Sequence, residues 1–334
     1  MTLWLGFLAC VAAIGLAGAQ LSRYGDILAE KTGLGGSWVG LILLATVTSL
    51  PELVSGLSAV TLAGVPDIAA GDVLGSCVFN LAILVVADVL HPAESLYSRA
   101  GRGHILSAAF GILLIGTVAF SLLLAARGET LAIGPVGAYT PLILVLYLLA
   151  VRVMYRHERR EIAGFVEAVA KRYPQVSLRR AVFGYAAAGA VVAAAGIWLP
   201  FVGADIARTM GWYDSFVGTL LVAAATSAPE LAVTIAAVRL GAIDMAVANL
   251  LGSNLFDIAI LAIDDLFYPG GPLLASVSPA HALTAVSAIL MTGLAVVGLF
   301  YRPAGPLWRN VSWLSLFMLA VYLLNSTLLY RHGG

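Results

Sequence analysis

The chain alternates between long apolar stretches and short polar interruptions, and this pattern predicts helices that cross a membrane. An apolar stretch of about 20 residues spans a bilayer as a helix. Ten stretches meet this criterion: 3–21, 38–62, 69–90, 104–126, 138–155, 180–202, 214–238, 244–267, 279–301 and 310–330. Turn-favouring and charged residues separate them, and a long polar segment, 156–179, divides the first five from the last five.

The composition agrees with a membrane protein. Of the 334 residues, 61% are hydrophobic and 11% are charged, and the mean hydropathy is +0.98. Soluble domains carry about 25% charged residues, so we predict an all-α polytopic membrane protein. The net charge is zero, so we predict no nucleic-acid partner. No basic residue precedes the first apolar stretch, which favours a retained helix over a cleaved signal peptide.

The distribution of basic residues predicts the orientation. If 156–179 is cytoplasmic, ten alternating spans place all but three of the 18 Lys and Arg residues on the same side. The exceptions are Arg127, Arg208 and Arg331. Because basic residues are retained in the cytoplasm, we predict a protein of the cell membrane, the inner membrane in a bacterium, with both termini outside.

Two sequence motifs occur twice, at almost equal spacing. TSLPE at 48–52 recurs 178 positions later as TSAPE, and GSCVFN at 75–80 recurs 177 positions later as GSNLFD. Each half holds five spans, and because five is odd the halves enter the membrane in opposite orientations. We therefore predict two inverted five-helix repeats, 1–155 and 180–334, joined by a cytoplasmic linker at 156–179. Inverted repeats are typical of secondary transporters.

The repeated motifs place oxygen atoms inside apolar helices. Pro51 and Pro229 have no N–H, so the carbonyls of Val47 and Ala225 lose their helical partners. In each copy of TS-x-PE, Thr and Glu lie four residues apart on one helix face. In GSCVFN and GSNLFD, the Ser and the final Asn or Asp are also four residues apart and share a face. One such motif alone fits a packed kink, but carboxylates are costly in a membrane and usually functional. An all-oxygen set suits hard cations such as Ca²⁺ or Na⁺.

Further acids lie outside the motifs. Asp88, Asp264 and Asp265 fall near the ends of predicted spans. Polar groups collect at membrane interfaces, so we predict interfacial positions for them. Cys77, within the first GSCVFN motif, is predicted to be a packing residue, because a buried free cysteine behaves as a small hydrophobe.

At these motifs the chain resembles the cation/Ca²⁺ antiporter superfamily and is most similar to its Na⁺/Ca²⁺ exchanger family. The resemblance implies that Glu52 and Glu230 bind Ca²⁺ and share in Na⁺ sites, joined by the carbonyls of Thr48 and Thr226. It implies that the flanking Na⁺ sites are lined by Ser49, Ser76, Ser227, Ser253 and the carbonyls of Ala45 and Ala223. It also implies that Asn80 and Asp257 face the centre of the site.

The resemblance implies an antiporter, not an enzyme, that exchanges Ca²⁺ for Na⁺ by alternating access. Ca²⁺, Na⁺ (or H⁺) and the lipid bilayer are the expected partners, and neither a cofactor nor an obligate protein partner is inferred. A proton-coupled or other divalent-cation antiporter is the first alternative, and an intramembrane aspartyl protease and a channel are the others. Val47 and Ala225 stand where the family usually has glycine, and Cys77 where it has asparagine.

Overall fold

The computed structural model describes residues 2–31, 47–90, 95–162, 175–302 and 311–334. The helices are α1 (Thr2–Lys31), α2 (Leu50–Ser58), α3 (Pro66–Leu90), α4 (Leu96–Arg99), α5 (His104–Ala125), α6 (Tyr139–Ile162), α7 (Leu178–Met210), α8 (Asp214–Val217), α9 (Ala223–Thr226), α10 (Ala228–Arg239), α11 (Ile243–Phe267), α12 (His281–Tyr301) and α13 (Trp313–His332). Two π-helical turns, Ala59–Ala63 and Gly218–Val222, extend α2 and join α8 to α9, and Leu273–Ala275 forms a 3₁₀ turn.

Within these ranges, eight helices are long and apolar enough to cross a membrane: α1, α3, α5, α6, α7, α11, α12 and α13. The segment from α8 to α10 adds a ninth span if its bend of 48° is included. Leu50–Ala63 is a shorter apolar helix, because residues 38–46 of the predicted second span lie outside the described residues. The predicted helical membrane class is confirmed, whereas the count of ten spans and the division at 156–179 stay predictions.

A short hairpin interrupts the predicted all-α architecture between α5 and α6. Strands β1 (Ala132–Ile133) and β2 (Val136–Gly137) pair antiparallel, with Ile133 opposite Val136. The turn contains Gly134 at a φ of 65°, in the left-handed region that favours glycine. The apolar pattern did not predict this element, because strands of two residues are too short to show a period of two.

Helices α3 and α11 form the centre of the molecule. In their most apolar parts, 72% and 78% of residues are buried, against 22–44% in the other long spans. Helix α1 packs along α7 on one side, and α5 packs against α12 on the other. Because α3 and α11 carry the GSCVFN and GSNLFD motifs, the fold encloses both motifs in protein rather than exposing them to lipid.

Contacts between the halves recur at the same spacing as the motifs. Asp67, near the start of α3, lies 3.0 Å from Nε2 of His281, and its Oδ1 accepts a hydrogen bond from the backbone N–H of Ser278. Asp244, 177 positions later, lies 3.0 Å from Nε2 of His104 and accepts from the N–H of Gly101. His104 and His281 are also 177 positions apart. Each central helix is therefore fixed at its beginning to the opposite half.

Asp88, Asp264 and Asp265 are each at most 1% exposed and are enclosed by protein, and their predicted depth at the membrane interface stays a prediction. Asp88 and Asp265, again 177 positions apart, each accept four hydrogen bonds from other segments. The donors to Asp88 are Ser95 Oγ, Leu96 N, Ser312 N and Ser315 Oγ. The donors to Asp265 are Gly137 N, Tyr139 Oη, Thr140 Oγ1 and Leu273 N. These two aspartates bind loops to the central helices.

Candidate cation-binding site

Both TS-x-PE motifs lie at helix breaks of the same shape. Ser49 precedes α2 with φ −88° and ψ 16°, and Ser227 precedes α10 with φ −81° and ψ 10°. A proline occupies the first turn of the helix that follows in both copies, and it cannot donate a backbone hydrogen bond. The predicted interruption by proline is therefore confirmed. Each break places Thr and Ser at the bend and Glu one turn beyond it.

Each glutamate accepts hydrogen bonds from serines of both halves. The hydroxyl of Ser227 donates to Glu52 Oε1 over 3.1 Å, and Ser76 Oγ lies 3.5 Å from the same oxygen. In the mirrored arrangement, Ser49 and Ser253 donate to Glu230 Oε1 over 3.3 and 3.4 Å. The serine at each helix break thus donates a hydrogen bond to the glutamate of the other break. Each carboxylate therefore depends on the opposite half for one of its hydrogen bonds.

The serines are themselves linked to neighbouring hydroxyls. Ser227 Oγ lies 3.0 Å from Ser76 Oγ, and Thr48 Oγ1 lies 3.4 Å from Ser253 Oγ. Hydroxyls can rotate to present either a hydrogen atom or a lone pair. They can therefore donate hydrogen bonds to the glutamates, as in this structure, and can turn a lone pair of the oxygen toward a cation when one binds.

Asn80 and Asp257 lie at the centre but differ in their partners. Asn80 Nδ2 donates to Asn254 Oδ1 over 3.0 Å, and Asn254 Nδ2 donates to the carbonyl of Cys77 over 3.2 Å. Neither oxygen of Asp257 has a hydrogen-bond partner among the described residues, and the same holds for Oε2 of Glu52 and of Glu230. Buried acceptors without partners are costly, so this centre favours a bound cation or proton.

The predicted site residues that the structure describes are brought together and enclosed. Each is at most 1% exposed: Thr48, Ser49, Glu52, Ser76, Asn80, Ala223, Thr226, Ser227, Glu230, Ser253 and Asp257. Ala45 lies outside the described residues. The carbonyl of Ala223 accepts a hydrogen bond from the N–H of Ser227 over 3.0 Å. The described site residues are therefore enclosed by protein.

The acids repel one another, but they do not form a compact metal cluster. Glu52 lies within electrostatic range of Glu230 and Asp257. No three His, Cys, Asp or Glu side chains converge on one point in the described parts of the chain. A cation bound here would therefore need hydroxyl and carbonyl oxygens beside the carboxylates, as expected for a hard ion.

Helices α1 and α7 pack directly against the two breaks. A Cβ atom on Gly18 would lie 2.3 Å from Cγ of Pro229, and one on Gly196 would lie 3.4 Å from the carbonyl oxygen of Pro51. Gly18 and Gly196 are 178 positions apart, like the breaks that they contact. Small residues let helix backbones approach closely in membranes. The long helices of each half therefore lie against the site of the other half.

Sequence reasoning missed Asp72. This carboxyl group is fully buried, and Oδ1 accepts a hydrogen bond from Thr226 Oγ1 over 2.8 Å. Asp72 lies four residues before Ser76 and so shares its helix face. That spacing was a signal in the sequence, but Asp72 lies outside the repeated motif, and Asn249 occupies the equivalent place 177 positions later.

Paired carboxylates and hydroxyls at two broken helices, buried among helices long and apolar enough to cross a membrane, are typical of an ion-transporting membrane protein. The family comparison makes this class specific: the chain belongs to the sodium/calcium exchanger protein family, whose sequence model matches residues 2–156 and 180–331. The chain is therefore a multi-pass membrane protein of a calcium exchanger and antiporter family.

Individual relatives agree with this assignment. The chain is 27% identical over 235 residues to the putative antiporter CaxA of Alkalimonas amylolytica, covering 70% of each chain. Its fold is similar to the H⁺/Ca²⁺ exchanger CAX, with a TM-score of 0.70 and 16% identity over 98% of this chain and 86% of that one. It is also similar to the sodium-calcium exchanger NCX_Mj, with a TM-score of 0.60 and 21% identity over 97% of both chains. At these identities the structural likeness concerns the fold alone.

Proposed function

We propose that this protein is a secondary antiporter that exchanges Ca²⁺ for Na⁺ by alternating access. The supporting observation is that each of two buried glutamates accepts a hydrogen bond from a serine of the opposite half. Each glutamate also keeps one oxygen without a partner in the described structure. The proposed ligands are the twelve residues predicted above, with Glu52 and Glu230 shared between Ca²⁺ and Na⁺. Asp72 is an additional acid beside Thr226.

Competition for shared oxygens provides the coupling. Ca²⁺ needs both glutamates, because two carboxylates balance its charge and hard cations prefer oxygen ligands. Na⁺ ions would occupy the flanking positions between each glutamate and its serines, so Ca²⁺ and Na⁺ exclude each other. When cations are bound, they neutralise the carboxylates, and the protein can change the side to which the site is open. When the site is empty, the carboxylates repel one another and this change is disfavoured. Movement of α1 and α7 against the remaining helices would change the accessible side.

The choice of coupling ion gives a direct prediction. An outward-directed Na⁺ gradient should drive ⁴⁵Ca²⁺ into proteoliposomes, and an imposed membrane potential should change the rate, because the exchange is electrogenic. Low pH should slow uptake, because protons compete with cations for Glu52, Glu230 and Asp257. The hydroxyl-rich surroundings of both glutamates favour Na⁺ as the counter-ion.

Two other outcomes distinguish the alternatives. Uptake driven by a pH gradient in Na⁺-free buffer, without any response to Na⁺, would identify a proton-coupled exchanger and contradict the proposal. Dissipation of a Ca²⁺ gradient in Na⁺-free buffer, with no accompanying movement of protons, would identify a channel. Liposomes that contain Glu52→Gln protein are the control for leak.

The orientation of the chain is a separate proposal. The protein lies in the cell membrane, the inner membrane if its source is a bacterium, with 156–179 in the cytoplasm between repeats 1–155 and 180–334. Gln175 and Arg331 are both exposed, so a cysteine at either position can react with a reagent. In a background without Cys10 and Cys77, Gln175→Cys and Arg331→Cys should be labelled from opposite sides of intact cells. Labelling of both from one side would contradict the odd number of spans between them.

A further inference from the structure

A second pair of carboxyl groups lies beside the central site. Asp72 on α3 and Asp264 on α11 are both 0% exposed. Asp72 Oδ2 and both oxygens of Asp264 have no hydrogen-bond partner among the described residues. Asp264 therefore differs from its neighbour Asp265, which is saturated with hydrogen bonds. An unpartnered buried acid has no structural role that compensates for its desolvation.

The second pair continues the surface that forms the central site. Asp72 lies four residues before Ser76 on α3, and Asp264 lies seven residues after Asp257 on α11. Residues four and seven apart share one helix face. Asp72 is within electrostatic range of Asp264 and also of the central Glu52. Asp72 therefore lies between the central site and Asp264, and the acids form a row rather than two unrelated clusters.

Helix α2 leaves room at the end of this row. A Cβ atom on Gly56 would lie 2.3 Å from Oδ2 and 2.9 Å from Oδ1 of Asp264, so only glycine lets the carboxyl group lie there. Gly56 is four residues after Glu52 and therefore on the same helix face. The hydroxyl of the adjacent Ser55 is also buried and lies near the carboxyl group of Asp72.

The internal repeat provides a comparison within the same chain. The positions equivalent to Asp72, Gly56 and Asp264 are Asn249, Thr234 and Ala87, at spacings of 177, 178 and 177. The opposite end of the row is thus uncharged. Because the same fold is built there without carboxylates, the fold does not require a charge at either position.

We propose that Asp72 and Asp264, with Ser55, form an access site for one hard divalent cation at the end of the protein where α3 begins and α11 ends. Two carboxylates balance the charge of one divalent ion, and their oxygens with a hydroxyl match its ligand preference. The identity of the ion as Ca²⁺ rests on the proposed function. In the proposed orientation this end faces outside, so an ion that enters or leaves on that side binds there transiently.

Equilibrium binding of ⁴⁵Ca²⁺ tests the site without transport. In purified Glu52→Gln/Glu230→Gln/Asp257→Asn protein the central acids are neutral. This protein should still bind about one Ca²⁺ per chain, with lower affinity than the wild-type protein. Adding Asp72→Asn and Asp264→Ala, which copy the equivalent residues of the other half, should abolish this binding. Adding Asp205→Asn, at a half-exposed acid paired with Arg208, should not. No binding to the first variant, or binding that survives Asp72→Asn/Asp264→Ala, would overturn the site.

The sidedness of transport gives an independent readout with the central site intact. Asp72→Asn/Asp264→Ala should raise the apparent KM for Ca²⁺ several-fold when Ca²⁺ is added from the side of this pair, and leave it unchanged from the other side. Equal changes on both sides would indicate a general structural defect and contradict the inference. A wild-type protein that ignores Na⁺ gradients would contradict the proposed exchange but leave the binding result unaffected.

Discussion

Replacing Glu52 or Glu230 by glutamine should abolish Ca²⁺ exchange and leave a folded, monodisperse protein. Glutamine keeps the volume and one acceptor oxygen of glutamate but removes its charge. Loss of a charged partner in a buried site costs about 2–5 kcal/mol, which lowers binding by a factor of roughly 30 or more. Both glutamates should be needed, because each carries an oxygen that no described group satisfies. The measurement is ⁴⁵Ca²⁺ uptake by proteoliposomes under a Na⁺ gradient.

Glu129→Gln is the matched control for this experiment. Glu129 is exposed between α5 and β1, so the same chemical change there should leave uptake at the wild-type rate. Size-exclusion profiles of all three variants should coincide, which separates loss of a ligand from loss of folding. Substantial Ca²⁺ exchange by either Glu52→Gln or Glu230→Gln would refute the assignment of the central site.

Asp265→Ala should destabilise the protein strongly, whereas Asp264→Ala should not. Asp265 accepts four hydrogen bonds, from Gly137, Tyr139, Thr140 and Leu273, and its removal leaves these buried donors without a partner. Breaking such a buried charged network costs about 3–5 kcal/mol, equivalent to a fall of roughly 10 °C in melting temperature. Asp264→Ala removes an acid that has no described partner, so its removal relieves desolvation.

The comparison is sharp because the two acids are adjacent in sequence and equally buried. Melting temperatures of both variants in detergent, followed by size-exclusion chromatography, provide the measurement. Asp88→Ala should behave like Asp265→Ala, because Asp88 also accepts four hydrogen bonds. A melting temperature of Asp265→Ala as high as that of the wild-type protein would show that the hydrogen bonds to Asp265 contribute little.

The sequence alone determined the class of the protein and the core of its candidate site. Apolar length sets the spans, because a helix must satisfy its own backbone within a bilayer. The duplicated TS-x-PE motif identified Glu52 and Glu230, because carboxylates and prolines are costly in that environment unless they serve a purpose. These signals are local, so they can be read from neighbouring residues, and the breaks at Ser49 and Ser227 appear where the prolines predicted them.

The tertiary structure decided which buried acids are structural and which are available to a cation. Asp88 and Asp264 look alike in the sequence, since each lies near the end of an apolar span. Asp88 is satisfied by Ser312 and Ser315, more than 220 positions away, whereas Asp264 lies against Gly56 without a described hydrogen-bond partner. Likewise, the donation from Ser227 to Glu52 joins residues 175 positions apart. Helical periodicity specifies which face a side chain occupies, but only the packing of distant helices determines what that face meets.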